Sequence, residues 1–330
     1  MKNMLHKWLV IIFITYISRS KVKSDENEVK LQKYLFANPD YHYMARPVKQ
    51  TNTKIWANFS LSISQIVSID MRNEAVTTSI WPTQEWYDEY MQWNPEDFGG
   101  ITNTGVSPDR IWKPEIVLYN NVDGRFEVEF QSRVQIGYRG NCLWAPPTIF
   151  KTHCKINAQH FPYDEQFCPL TFLSFDYDYT QVEIVSKFSE GDYTGDQYWH
   201  SSEWSIMSAR TETYLTSCAS CLTNNHSAVT VMLHLKRKPL FYSVNLVLPI
   251  LMVSILTVMS FYLPSECCEK ITLTVTVLLS VTMLLLIVSK MVPKTSYHVP
   301  LLNMYLIFIL LLVSFSLIGK TLFHIQISDF

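Results

Sequence analysis

The sequence predicts an extracellular all-β sandwich with a short N-terminal helix, followed by an α-helical transmembrane domain. Three observations carry this prediction: a leader-like N-terminus, short alternating segments separated by turn signals, and three long apolar segments after Pro239. The charges divide in the same way, because only seven of the 27 Lys and Arg and 29 Asp and Glu lie after Pro239. A polar domain is therefore joined to a lipid-soluble one.

The composition of the 330 residues excludes two classes of protein. A formal net charge of −2 gives no electrostatic basis for a nucleic-acid partner. A hydrophobic fraction of 48% is far too high for a disordered chain. Because no His and Cys residues cluster with the spacing of metal ligands, we expect neither a metal nor another cofactor.

Residues 1–24 are typical of a secretory signal peptide. Lys2 and Lys7 form a basic head, Trp8 to Ile17 form an apolar core, and small and basic residues follow. The apolar core has ten residues and is too short to span a bilayer. Cleavage near residue 24 would place the following domain outside the cell.

Residues 25–238 are predicted to form the β-sandwich. Apolar and polar residues alternate at 59–64 and at 126–130, as in half-buried strands. Turn signals such as Asn94-Pro95 and Ala145-Pro146-Pro147 separate the segments, which favours a sandwich of many short strands. A helix is expected near residues 26–36, with Val29, Leu31, Tyr34 and Leu35 on one face.

Residues 239–330 are predicted to form the membrane domain. Apolar segments cover about 240–263, 271–289 and 299–323, and each reaches the ~20 residues that cross a bilayer. Pro249 is tolerated inside the first span when a neighbouring helix covers the freed carbonyl. Lysines between the spans are too few to decide orientation, so the signal peptide sets the N-terminus outside.

The cysteines are interpreted for an oxidising environment, because their domain is predicted to be extracellular. Cys154 and Cys168 enclose thirteen residues, and a bridge between them would stabilise the fold by about 3 kcal/mol through loop entropy. The segment Cys218-Ala219-Ser220-Cys221 has the spacing of a redox pair, which raises the alternative of a membrane thiol enzyme. No βαβ unit is indicated upstream of that pair, so an enzyme is not expected.

The loop from Cys154 to Cys168, with Phe161-Pro162-Tyr163-Asp164 inside it, resembles the signature loop of the pentameric Cys-loop receptors. The resemblance covers nearly the whole mature chain and is strongest to the nicotinic acetylcholine receptor branch. It implies a plasma-membrane subunit of an acetylcholine-type, ligand-gated cation channel, in a pentamer with other subunits and at a synapse. Further segments that carry it are Thr77-Thr78-Ser79-Ile80-Trp81, Gln84-Glu85-Trp86, Trp93-Asn94-Pro95, Ile111-Trp112-Lys113-Pro114-Glu115, Leu118-Tyr119-Asn120-Asn121 and Lys238-Pro239-Leu240-Phe241-Tyr242.

The resemblance implies a ligand site where two subunits meet, in which aromatic rings hold acetylcholine or a related cationic agonist. Phe175 stands where ligand-binding subunits usually carry tryptophan, and His226 stands where a second tyrosine is expected. We therefore expect a weakened principal face and a heteromeric assembly. The alternative is that these aromatic residues are ordinary sandwich residues. The principal face would comprise Tyr119, Phe175, Tyr214, His226 and the Cys218 and Cys221 pair, whose bridge is left open, and the complementary face Trp81, Gln135, Leu143 and Ala145.

The second apolar segment carries a stripe that suits an ion pore. Counting by three and four from Glu269 to Lys290 places acid, hydroxyl, apolar and basic residues on one face of a helix about 32 Å long. Five copies would form an acidic ring that attracts cations and apolar rings that close by dewetting. A ring of Lys290 would lower the cation concentration at the outer end, so reduced divalent permeation is expected. The stripe consists of Glu269, Thr272, Thr276, Leu279, Met283, Leu286 and Lys290; the alternative is a plain amphipathic span.

Arg237 matches a family arginine that pairs with an acid on the first strand-connecting loop. This chain has Met71 at the aligned position, so Asp70 or Glu74 is expected to substitute. The alternative is that Arg237 anchors the fold without signalling. The contact that couples the sandwich to the pore is expected to include Arg237, Pro162 and Pro293.

Two further features remain as expectations. Asn58-Phe59-Ser60 and Asn225-His226-Ser227 are glycan acceptor patterns in a secreted domain. Subunits of this family continue to a fourth span, whereas three spans are present here and the fourth is absent. The sequence therefore leaves open either a conducting subunit or a truncated, non-conducting regulatory subunit that silences its partners.

Overall fold

The computed structural model describes residues 25–124, 130–187, 194–217, 225–263, 269–294 and 299–328. The predicted signal peptide, residues 126–129 of the second alternating pattern, and both Cys218 and Cys221 lie outside the described residues.

The described chain is a β-sandwich preceded by one helix and followed by three long helices, as predicted. The strands are β1 (Ile55–Asp70), β2 (Ala75–Gln92), β3 (Asn103–Val106), β4 (Ile116–Leu118), β5 (Val134–Gly137), β6 (Arg139–Trp144), β7 (Thr148–His153), β8 (Glu165–Ser174), β9 (Val182–Ser186), β10 (Thr194–Trp199), β11 (Trp204–Thr216) and β12 (His226–Arg237). The helices are α1 (Glu26–Leu35), α2 (Leu240–Tyr262), α3 (Glu269–Met291) and α4 (Leu301–Ser328).

Helix α1 begins after Asp25, whose carboxylate accepts a hydrogen bond from the Asn27 N–H at 3.0 Å and so caps the helix. Leu31 and Leu35 are buried, as predicted. The predicted apolar face is narrower than expected, because Val29 and Tyr34 are exposed.

One compact unit comprises the described residues up to Ile55 with Glu85–Lys113 and Ser132–Trp144. In it, β5 pairs with β3 and β6, and β6 lies beside β2. Asp88 of β2 is fully buried, and its Oδ1 accepts hydrogen bonds from the N–H groups of Tyr90 and Met91 at 2.9 and 3.2 Å. Burial raises the pKa of the Asp88 carboxyl to about 7.

The second compact unit comprises Trp56–Gln84, Pro114–Gln131 and the chain from Ala145 onwards. Its four-stranded sheet has the order β11-β12-β8-β4. A second sheet contains β1, with β9 and β10 as neighbours, and the first part of β2, which pairs antiparallel with β7. The predicted alternation at 59–64 is confirmed, because Phe59, Leu61 and Ile63 are all at most 1% exposed between intermediate polar residues.

The three long helices are apolar enough to cross a membrane and agree with the predicted spans within a few residues. Helix α3 begins at Glu269, before the predicted start, where an acidic side chain is favoured by the helix dipole. Helix α2 contains a π segment at Ser243–Val247, where the Leu248 N–H donates to the Ser243 carbonyl five residues earlier. This local widening directly precedes Pro249, which has no N–H of its own to donate.

Candidate agonist site and pore

The aromatic residues predicted for the principal face are exposed on the four-stranded sheet. Tyr119 is 62% exposed, Phe175 is 50% exposed and Tyr214 is 44% exposed. These three rings are therefore accessible to a ligand or a partner at the surface of the single chain.

Backbone hydrogen bonds fix the positions of Tyr119 and Phe175 at the ends of their strands. The Tyr119 N–H donates to the Thr171 carbonyl at 2.7 Å, directly after β4, and the Phe175 N–H donates to the Glu115 carbonyl at 3.4 Å, directly after β8. Glu115 has φ of 48°, a left-handed conformation that is uncommon for a residue with a side chain. The Tyr119 and Phe175 side chains are thus carried on adjacent strands with defined register.

Tyr214 and His226, which occupy the two positions where capping-loop tyrosines are expected, differ in their exposure. Tyr214 lies on β11 opposite Ala228, and its hydroxyl lies 3.1 Å from Thr230 Oγ1, which orients the ring. His226 is only 2% exposed, and its Nδ1 lies 3.0 Å from the Ser174 carbonyl oxygen. In this geometry the His226 ring contacts backbone groups in the interior of the sandwich, and its place in the agonist site stays a prediction.

The residues predicted for the complementary face come from β2, β5 and β6. Trp81 is 44% exposed on β2, between the buried residues Ile80 and Pro82. Gln135 of β5 is exposed and pairs in register with the half-buried Leu143 of β6. Ala145 is half-buried in the turn that follows β6.

Helix α3 presents the predicted pore stripe as one exposed face. The apolar members Leu279, Met283 and Leu286 are 60–64% exposed in the single chain. Opposite them, Val277 and Val281 are buried against the other helices. The polar members Glu269, Thr272, Thr276 and Lys290 are exposed as well.

Arg237 at the end of β12 is buried and is the centre of a cluster of charged side chains. Its Nε donates to Asp164 Oδ1 at 2.7 Å, and its Nη1 donates to Glu203 Oε1 at 2.6 Å. Its Nη2 lies 2.7 Å from the Met71 sulfur, at the position where an acid was expected. The expectation that Asp70 or Glu74 takes the place of that acid is wrong, because Asp164 and Glu203 provide the negative charges.

Asp70 has a different role, since its carboxylate accepts hydrogen bonds from the Asn73 backbone and side chain in the β1–β2 turn. These bonds lower the pKa of the Asp70 carboxyl. Sequence reasoning missed the pairing of Asp164 and Glu203 with Arg237. The only local signal was the placement of Asp164 in the loop that carries Pro162.

Contacts between the disulfide loop and the helices connect the sandwich with the membrane domain. The Tyr163 hydroxyl, next to Pro162, lies 2.9 Å from Ser243 Oγ in α2. The Leu301 N–H at the start of α4 donates to the Gln159 carbonyl at 3.0 Å. Pro293, two residues after the end of α3, is buried.

The predicted disulfide bridge and the predicted glycosylation sites have different outcomes. The bridge between Cys154 and Cys168 is confirmed. Asn225 is exposed and Asn58 is half-buried, so glycosylation at both residues stays a prediction.

Comparison with known proteins identifies the class. Residues 28–239 match the neurotransmitter-gated ion-channel ligand binding domain, and residues 246–323 match the neurotransmitter-gated ion-channel transmembrane region. The chain therefore belongs to the neurotransmitter-gated ion channels. The thiol-enzyme alternative is excluded, because this family consists of ligand-gated channels.

Similar curated proteins are subunits of neuronal acetylcholine receptors. The chain is 41% identical over 293 residues to the alpha-2 subunit of Homo sapiens, an alignment that covers 89% of this chain and 54% of that protein. It is 38% identical over 314 residues to the alpha-2 subunit of Mus musculus (95% and 60%) and 40% identical over 291 residues to the alpha-4 subunit of Gallus gallus (88% and 46%). The predicted nicotinic branch is confirmed, and the chain spans about half the length of these relatives.

Proposed function

We propose that the chain is a subunit of a pentameric acetylcholine-type channel that conducts cations through a pore lined by α3. The exposed stripe of α3 is the observation that carries this proposal. Along one exposed face of α3, an acid is followed by two hydroxyls, three large apolar side chains and a base. A ring of five copies would cover this face and enclose water.

Each level of the stripe has a distinct role in the proposed pore. Glu269 lies at the cytoplasmic mouth and concentrates cations, while Thr272 and Thr276 offer hydroxyls to partly dehydrated ions. The rings of Leu279, Met283 and Leu286 form the closed gate, because a narrow apolar constriction expels water.

Agonist binding is proposed at subunit interfaces. The exposed rings of Tyr119, Phe175 and Tyr214 support a principal face that attracts a quaternary ammonium. Cys218 and Cys221 belong to the capping loop of this principal face. The exposed ring of Trp81 supports a complementary face on the neighbouring subunit, with Gln135, Leu143 and Ala145 along its wall.

We further propose that the assembly is heteromeric and synaptic. Phe175 is a weaker cation–π partner than tryptophan, and the burial of His226 removes a second ring. The principal face of this chain is therefore less suited to the agonist than its complementary face. A partner subunit with a complete principal face would supply the missing aromatic surface.

Agonist-evoked current in cells that express the chain with a neuronal nicotinic subunit tests the proposal. We expect cation-selective current whose properties differ from those of the partner alone, and Glu269→Gln in this chain should weaken its cation selectivity. Glu203→Gln, outside the pore, serves as the matched carboxylate control for selectivity. Loss of the partner's current without any new current would instead favour the non-conducting regulatory alternative.

A further inference from the structure

Lys320 places a cation inside the third membrane span. Helix α4 begins at Leu301, which contacts the disulfide loop through Gln159. Lys320 follows nineteen residues later, which is about 28 Å along a helix. It therefore lies near the end of the span that is far from the sandwich, at membrane depth, where an ionisable side chain is costly and usually functional.

The ammonium of Lys320 is held against the pore helix. Its Nζ donates to Thr274 Oγ1 at 2.7 Å. Thr274 is fully buried, and its hydroxyl donates in turn to the Lys270 carbonyl at 2.8 Å. Since the hydroxyl has a fixed orientation, its lone pair points at the ammonium and fixes the position of the charge.

Thr274 is on the opposite face of α3 from the pore. Thr272 and Thr276 are each two residues away, a rotation of about 200° around the helix, and both are exposed on the pore stripe. The Lys320 ammonium consequently lies about one helix diameter, 10–12 Å, behind the hydroxyls of the pore.

Among the described residues, this positive charge has no ion-pair partner. The nearest described cation, Lys270, is 9% exposed and donates its Nζ to the Leu263 carbonyl at the end of α2. The carboxylate of Glu269 lies on the pore stripe and makes no ion pair with either lysine. Lys320 lies within the candidate span Leu301–Leu322, where a bilayer would replace water, so its charge would be screened less than a charge in bulk solvent.

We propose that Lys320 is a specificity-determining residue that lowers cation conductance by placing a fixed positive charge behind Thr272 and Thr276. This inference rests on the proposed channel function. Cations that pass the Thr272 and Thr276 rings meet the field of the Lys320 ammonium of each copy of this chain, in addition to the field of Lys270. The effect opposes the attraction by Glu269 and differs from that of Lys290, which is exposed and screened by salt.

Unitary conductance tests the inference in receptors that already show agonist-evoked current. We expect Lys320→Met to raise the single-channel cation conductance by at least about 1.5-fold, and the increase should persist at high salt. Lys320→Arg keeps the charge and should stay near the parent value. Thr274→Val removes the hydrogen bond but keeps the charge, and should change conductance less than Lys320→Met.

The two proposals fail in different ways. An absence of agonist-evoked current would count against the proposed channel function, whereas unchanged conductance of Lys320→Met in conducting receptors would overturn this inference alone. An equal change in Thr274→Val and Lys320→Met would also overturn it, because the hydrogen bond and not the charge would then set the conductance.

Discussion

Arg237 and Asp164 form a buried ion pair through two contacts, Nε to Oδ1 at 2.7 Å and Nη2 to Oδ2 at 3.2 Å. Both side chains are 1% exposed, and 73 residues separate them in the chain. The pair joins the disulfide loop to the strand that leads into the first membrane span. Rings of Trp204, Phe161 and Tyr242 surround the guanidinium at 4.1–5.3 Å, so little water can replace a lost partner.

Asp164→Asn should strongly destabilise the chain, because the substitution removes one charge of this buried pair. We expect a loss of about 3–5 kcal/mol in the free energy of unfolding, seen as a lower thermal midpoint and lower surface expression. Glu203→Gln is the matched control, since the Glu203 side chain is 40% exposed and should cost about 1 kcal/mol or less. Equal effects of the two substitutions would contradict a dominant role for Asp164.

Trp81→Ala should weaken the agonist response of any assembly in which this chain supplies the complementary face. A desolvated cation–π contact contributes about 2 kcal/mol, which corresponds to a roughly 30-fold rise in the half-maximal agonist concentration. Trp81→Phe keeps an aromatic face and should give a smaller shift. A dose–response curve that is unchanged by Trp81→Ala would remove Trp81 from the site.

Lys290→Glu should raise the calcium permeability relative to sodium. Lys290 is exposed at the last turn of the pore stripe, and reversing its charge concentrates divalent cations at the outer end. Because the side chain is exposed, the increase should be larger at low ionic strength. Lys294→Glu changes the same charge beyond the end of α3 and should have a smaller effect, and unchanged calcium permeability of Lys290→Glu would refute the prediction.

The buried carboxyl of Asp88, on β2, should make the free energy of unfolding depend on pH near neutrality. The folded carboxyl has a pKa of about 7 against an ordinary value of 3.8, so the folded state binds the extra proton between these values. Stability is therefore highest at the acidic side of this window and falls as the pH rises through about 7.

Thermal unfolding of the whole chain between pH 5 and pH 8 checks the sign. Asp88→Asn keeps an oxygen that accepts hydrogen bonds from the Tyr90 and Met91 N–H groups but cannot ionise, so it should flatten the profile. Asp97→Asn replaces an exposed carboxyl and should leave the profile unchanged. A parent protein that gains stability as the pH rises across this range would show that the Asp88 carboxyl is not held neutral by burial.

Local patterns were sufficient to predict the elements and several site residues. The alternation in β1, the helical spacing of the α3 stripe and the spacing of Cys154 and Cys168 each reflect a short-range periodicity or separation. The structure agrees with these patterns. Side chains on one face of an element recur every two residues in a strand and every 3.6 residues in a helix, so the two periodicities can be identified from the sequence.

Residues whose role depends on a distant partner could not be predicted. The sequence around His226 gave no sign that its ring is buried against the Ser174 carbonyl, 52 residues earlier in the chain. The acidic partner of Arg237 was expected near Met71 in the sequence. The two carboxylates that pair with Arg237 instead belong to Asp164 in the disulfide loop and Glu203 just before β11. No local pattern encodes these contacts.

The sequence by itself determined a β-sandwich with three apolar spans, the disulfide loop and a stripe of polar and apolar residues along α3. Those features follow from hydrophobic periodicity and residue spacing, which are properties of the chain alone. Only the tertiary structure decided which charges neutralise Arg237, that His226 is interior, and that Lys320 reaches Thr274 from another helix. In each case a polar side chain contacts a group that is distant in the sequence. A buried polar group forms its hydrogen bond with whichever partner the fold brings within reach, and only the fold decides which partner that is.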